Sequence, residues 1–153
     1  MHLRKQDRIG LLASVWLFEH CTSRELDALQ RVATGLDVPA GKVLARQGET
    51  GREFFVIVSG SAEATRGRTP VGVLGPGSFF GEMSLLERKP RTATVTTLEP
   101  ATVLVMTARE FDDVIKTMPS VDRKMLIALS SRLRDIESRY VPVAEQVTSA
   151  SVS

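Results

Sequence analysis

Cysteine is nearly absent from this chain: Cys21 stands alone among 153 residues. That excludes an internal disulfide framework and fits a reducing compartment; the residue reads as a small buried apolar side chain. Histidine is scarce as well, with only His2 and His20, so no Cys/His constellation exists to hold a structural or catalytic zinc. No EF-hand spacing marks a carboxylate site either. Charge of one sign is missing too: 20 basic against 18 acidic residues leave a net charge of +2. Such a balance describes a mixed solvated surface better than a groove for a polyanion. Long hydrophobic runs are also lacking. The longest candidate, Ile9 to Phe18, follows Arg4, Lys5 and Arg8 but is too short to span a bilayer. The Glu19-His20-Cys21 that follows offers no small-residue cleavage site of a secretory signal. The run is therefore expected to be a first helix packed on the domain, in a cytoplasmic protein with no membrane insertion.

What is present is an ordinary globular composition, 42% apolar, enough for one domain with a modest core. Thr22-Ser23-Arg24-Glu25 has the form of a capping box, and Leu26, Leu29 and Ala33 fall on one face of a helix over 23–33. From Gly35 the texture changes to short apolar runs separated by Gly, Pro and Ser. Residues 53–58, 61–65, 71–74, 92–97 and 101–106 read as strands of a small sandwich or jelly-roll barrel. A second capping box, Thr107-Ala108-Arg109-Glu110, opens another helix that Pro119 ends. A long helix follows to Tyr140. The last dozen residues carry no periodic pattern and are expected to form a disordered tail. The predicted class is α+β: a β-roll of about eight short antiparallel strands (34–106) between N-terminal helices (1–33) and two C-terminal helices (107–140), with a short helix inserted near residue 82.

That insertion carries the chemistry. In Phe79-Phe80-Gly81-Glu82-Met83-Ser84-Leu85-Leu86, Gly81 can adopt dihedrals closed to other residues and let a ligand approach the backbone. A turn of helix starting near Glu82 presents unpaired N–H groups suited to an anion. Glu82 can accept a hydrogen bond from a neighbouring hydroxyl. Arg91, held in direction by Pro90, can neutralise the anion through two parallel N–H···O bonds. The bland reading is a surface ion pair between Glu82 and Arg91, worth little. Leu85 and Leu86 are expected to anchor the short helix in the core, and Thr94 and Thr96 to be strand-face residues.

The stretch Phe80-Gly81-Glu82 through Pro90-Arg91-Thr92-Ala93-Thr94-Val95 resembles the phosphate-binding cassette of the cyclic nucleotide-binding domain family. Pro39-Ala-Gly-Lys-Val-Leu, Arg46-Gln-Gly-Glu49 and Phe54-Phe-Val-Ile-Val-Ser-Gly60 resemble its early strands. The resemblance implies that Glu82 holds the ribose 2′-hydroxyl and Arg91 the cyclic phosphate, with Gly81, Met83, Ser84 and Thr92 lining the phosphate. It implies cyclic AMP as the preferred ligand, leaves cyclic GMP open because Thr92 suits either role, and calls for no cofactor or metal. In catabolite regulators of the family a Thr-Ser pair on the long helix reaches adenine. Ile136 and Glu137 stand there in this chain, which puts the base contacts in doubt and leaves Tyr140 as a capping candidate.

No Ser-His-Asp set or second acid beside Glu82 suggests hydrolysis, so a binding module rather than an enzyme is expected. Only 13 residues follow Tyr140, too few for a helix-turn-helix, so direct nucleic-acid binding is not expected unless the chain is the ligand-domain fragment of a transcription regulator. A degenerate module kept for protein contacts is the third possibility. The expected role is a sensor that signals to an unidentified effector. Leu126, Leu129, Leu133, Ile136 and Tyr140 have the 3-4 spacing of a coiled-coil seam, which predicts a homodimer through helix 120–140 unless the stripe packs on the barrel.

Overall fold

The computed structural model describes residues 3–140, apart from the Tyr140 side chain. The tail expected beyond residue 140 and the capping role suggested for the Tyr140 side chain lie outside the described residues. Among the described residues, eight strands and four α-helices make up the fold. Helices α1 (Lys5–Ala13) and α2 (Ser23–Val32) precede strands β1 (Thr34–Val38), β2 (Val43–Ala45), β3 (Glu53–Ser59), β4 (Ala62–Arg66), β5 (Thr69–Leu74), β6 (Phe79–Phe80), β7 (Thr94–Thr97) and β8 (Ala101–Thr107). Helices α3 (Ala108–Thr117) and α4 (Ser120–Tyr140) close the described chain. The strands form two antiparallel four-stranded sheets, ordered β1-β8-β3-β6 and β2-β7-β4-β5. This is the jelly-roll arrangement expected from the strand spacing.

Strands β3 and β8 read as continuous apolar runs because both of their faces are covered. On one face Phe54 and Val56, opposite Met106 and Leu104, join Phe18, Leu29, Phe111 and Met125 in a core beneath the helices. On the other, Phe55 and Ile57, opposite Val105 and Val103, pack against Ala45, Ala62 and Val95 of the second sheet. Phe55 also stacks on Phe80 with ring centroids 4.8 Å apart, which fixes the strand leading into the cassette.

Three local expectations are corrected. The run Ile9 to Phe18 is not one helix: α1 ends at Ala13, and Trp16–Phe18 form a separate 3-10 turn. Extended Val15 (ψ 125°) breaks the helix while burying its own side chain completely. Leu85 is buried as expected, but Leu86 is 40% exposed, because a 3-10 turn with three residues per turn cannot aim both leucines inward. Cys21 is only half-buried. Burial and the adjacent Glu25 charge nevertheless push its thiol up to about 11, against the opposing pull of Lys124.

Both capping boxes form, Thr22 with Glu25 and Thr107 with Glu110. Glu25 does more than cap. Its Oε1 accepts the Thr22 N–H at 2.7 Å and the Lys124 ammonium of α4 at 2.9 Å, and the residue is 3% exposed. Burial alone would raise this carboxyl; Ser120, the Thr22 N–H, Lys124 and the Thr22 hydroxyl outweigh it and hold the pKa at about 2. A depressed carboxylate contributes stability above its unfolded pKa and loses it as pH falls towards the folded value. Wild type should therefore lose on the order of 3 kcal/mol between about pH 4.5 and 2 that Glu25→Gln does not lose. Denaturant melts across that range check this, and parallel acid dependence of the two proteins would reject it.

Candidate functional site

The segment between β6 and β7 is a 3-10 turn, Glu82–Leu85, introduced by Gly81 in the left-handed conformation (φ 80°). Gly81 is required on two counts. Its φ suits glycine, and a Cβ there would lie 2.5 Å from both Arg91 Nη1 and the Glu53 carbonyl oxygen. The far end of the segment is tied down by a short ladder: the Gly48 N–H donates to the Arg91 carbonyl, the Arg91 N–H to the Glu49 carbonyl and the Gly51 N–H to the Lys89 carbonyl. Pro90 sits within it opposite Thr50.

Arg91 is oriented by the protein rather than left to solvent. Its Nη2 donates to the Glu53 carbonyl at 2.8 Å and its Nη1 to Ser84 Oγ at 3.3 Å. Among the described residues no carboxylate closes an ion pair with it, so the Glu82–Arg91 surface pair does not form. Desolvation pulls the guanidinium pKa down, with the charge of Glu53 acting against it. A half-buried cation whose side-chain hydrogen bonds go to neutral oxygens is the arrangement an incoming anion relieves.

Glu82 is half-buried. Burial pushes its carboxyl up, while hydrogen bonds from the Trp16 indole and from the backbone N–H groups of Glu82 and Met83, together with the charge of Arg132, pull the other way. The Ser84 N–H donates to the Gly81 carbonyl at 2.9 Å. In this conformation Ser84 offers its hydroxyl to the site rather than its N–H.

Gly81, Glu82, Met83, Ser84, Arg91 and Thr92, the six residues singled out from sequence, all line one cavity of about 430 Å³. That volume is within the range of small-molecule sites. Its polar rim is the cassette; its floor is apolar, formed by Ala45, Ala64, Leu74 and Val95 of the second sheet. Those four carry no chemical signal that separates a ligand-facing apolar residue from a core residue, and sequence reasoning missed them. It also missed Gly51, a buried glycine whose hypothetical Cβ would meet Ser84 Oγ at 2.5 Å and Arg91 Nε at 3.0 Å. The Gly48-Glu-Thr-Gly51 turn was the available clue.

A two-sheet β-roll thus carries a cassette whose half-buried arginine lines a cavity of small-molecule size with an apolar floor. Residues 36–118, more than half of the chain, match the cyclic nucleotide-binding domain family, and the chain belongs to that family. It is 36% identical over 122 residues to a cyclic nucleotide-gated potassium channel of Rhizobium etli, covering 78% of this chain and 34% of the channel. It is 28% identical over 130 residues to a CRP-like cAMP-activated global transcriptional regulator of Mycobacterium tuberculosis, covering 81% of this chain and 58% of the regulator. Among solved structures, the N-terminal domain of a transcriptional regulator from Streptomyces coelicolor superposes with a TM-score of 0.79 at 24% identity, over 86% of this chain and 98% of that domain. That likeness concerns the fold alone. The chain thus spans about a third of that channel and a little over half of that regulator.

Proposed function

We propose that this chain binds a cyclic nucleotide, preferably cyclic AMP, and passes occupancy of the cavity to a partner through α4. The observation that carries this reading is the half-buried Arg91 guanidinium, held by a carbonyl and a hydroxyl and closing no ion pair with a carboxylate among the described residues. The cyclic phosphate supplies the missing negative charge, Glu82 accepts from the ribose 2′-hydroxyl, and Ala45, Ala64, Leu74 and Val95 cover the purine. Cyclic AMP is favoured by likeness to the cAMP-activated regulator; the exposed Thr92 keeps guanine contacts possible. The module acts in the cytoplasm, and its role is regulatory binding rather than catalysis. No helix among the described residues is long and apolar enough to cross a membrane. Isothermal titration with cyclic AMP and cyclic GMP tests the reading, and saturating concentrations of both without heat or shift in Tm would reject it.

The same reading assigns α4 to pairing with a second copy. Val121, Met125 and Ala128 bury its inner face, and Leu129 packs against the same core. Leu126, Leu133 and Ile136 are 62, 58 and 46% exposed, so most of the described apolar stripe does not pack on the barrel. Two heptads make a marginal coiled coil, and ligand must interact differently with two states of α4 to shift it. Light scattering should give a dimer for wild type and a monomer for Leu133→Lys. A wild-type monomer with and without ligand would reject the pairing.

A further inference from the structure

A second cavity, of about 490 Å³, opens where the start of β3 meets the start of α3. Two features fix that junction. The Ala108 N–H donates to the Arg52 carbonyl at 2.8 Å, and Glu53 lies opposite Thr107 in the β3–β8 register. Three arginines from three separate segments line the cavity: Arg52 just ahead of β3, Arg88 after the cassette turn and Arg109 in the first turn of α3. All three residues are exposed. Arg88 donates to Asp112 at 3.3 Å, while neither Arg52 nor Arg109 closes an ion pair among the described residues. Arg109 and Asp112 stand three positions apart on α3, near enough to pair, yet the carboxylate goes to Arg88. Two acids, Asp112 and Glu53, share the lining with the arginines. The charge of Glu53 is also felt by Arg91, so it does not serve this cavity alone.

We propose that this cavity binds a dianionic phosphate group, carried free or as a monoester. Each guanidinium presents a planar fork of donors that matches phosphate oxygens. A planar carboxylate is satisfied by one such fork, whereas a tetrahedral phosphate with three free oxygens accepts forks from several directions. Arginines arriving from a strand end, a turn and a helix suit the second geometry. Charge argues the same way. A dianion matches the two guanidiniums left without ion pairs, and Arg88 can turn to it, because its pair with the half-exposed Asp112 contributes little. The end of α3 adds little to the site. The Ala108 N–H is taken by the Arg52 carbonyl and the Glu110 N–H by the Thr107 hydroxyl, so the side chains do the binding. The two acids in the lining set the cavity against an extended polyanion, which needs an unbroken basic stripe. The cavity shares no lining residue with the one around Arg91, and the inference does not depend on what fills that one.

The test follows carbon-detected arginine guanidinium resonances by NMR at about pH 7.5, where a phosphate monoester is mainly dianionic. Phenyl phosphate and inorganic phosphate are titrated separately into wild type and into Arg91→Ala, which removes the other anion-binding arginine. In both proteins the Arg52, Arg88 and Arg109 signals should shift together and saturate at low millimolar concentrations. The double variant Arg52→Gln/Arg109→Gln should bind about tenfold more weakly or worse, having lost two charged hydrogen-bond partners. Asp112→Asn should bind about two- to fivefold more tightly, because it releases Arg88 and removes a repelling charge. Misfolding cannot produce that gain. Both ligands saturating supports the proposal, and their ranking tells the sources apart: tighter phenyl phosphate assigns the cavity to a monoester, and equal or tighter inorganic phosphate to the free ion. Shifts that stay linear with concentration would mean an adventitious ion only. Shifts lost in Arg91→Ala would place the anion in the cassette instead. Either result overturns the proposal, as does binding unchanged in the double variant or not tightened in Asp112→Asn.

Discussion

Replacing Arg91 by alanine is expected to weaken cyclic nucleotide binding by a factor on the order of tens to thousands, because removing one partner of a desolvated charge pair costs roughly 2 to 5 kcal/mol. The control is Arg88→Ala. Arg88 pairs with Asp112 at 3.3 Å, with both side chains about half exposed, and such a pair contributes little. The two arginines are three residues apart in a chain segment rich in charge, so sequence proximity does not separate them. Their surroundings do: Arg91 is aimed by the Glu53 carbonyl and Ser84 Oγ, and Arg88 reaches away to α3. Calorimetric titration of both variants decides the matter. Equal, small losses at the two positions would remove Arg91 from the site.

The second large effect is expected at Gly51, which touches no ligand in the proposed reading. Alanine there would place Cβ 2.5 Å from Ser84 Oγ and 3.1 Å from the Arg91 Cζ. Backbone conformation is not the obstacle, since Gly51 is not among the positive-φ glycines; the obstacle is space. Overpacking of this kind costs about 1–3 kcal/mol, so if the strain falls on the arginine, affinity drops by about five- to 150-fold. The steric account makes a sharper statement than the loss itself. Ser84→Gly removes the hydroxyl that the new methyl would strike, so the double variant Gly51→Ala/Ser84→Gly should bind more tightly than Gly51→Ala alone. Neighbouring substitutions that share a clash are non-additive in this way. Titration of both variants, with melts to confirm folding, checks the pair. A double variant no better than the single would place the defect elsewhere.

These two cases show where sequence reasoning reached and where it stopped. The capping boxes at Thr22 and Thr107, the strands around Phe54–Val58 and Ala101–Met106, and the cassette from Gly81 to Thr92 were legible because local chemistry dictates them. A cap needs a hydroxyl and an acid three residues apart, a doubly covered strand needs an unbroken apolar run, and a left-handed turn needs glycine. Leu86 was misjudged because the sequence suggests a helical turn without saying that it tightens to 3-10. The run from Ile9 to Phe18 was misjudged because apolar residues alone do not reveal that Val15 turns extended to reach the core.

By itself, then, the amino-acid sequence determined the order of elements, the family pattern and the polar half of the site, all carried by residues within a few positions of one another. Tertiary structure alone decided the other half. It brought Ala45, Ala64, Leu74 and Val95 from four strands to one cavity floor, and Gly51 against Ser84 and Arg91. It also stacked Arg132 of α4 on the Trp16 ring, two residues from opposite ends of the described chain. The physical reason is that apolar packing and close approach are non-directional and non-local. An alanine facing a ligand and an alanine facing the core look the same in sequence, and only the closed fold distinguishes them.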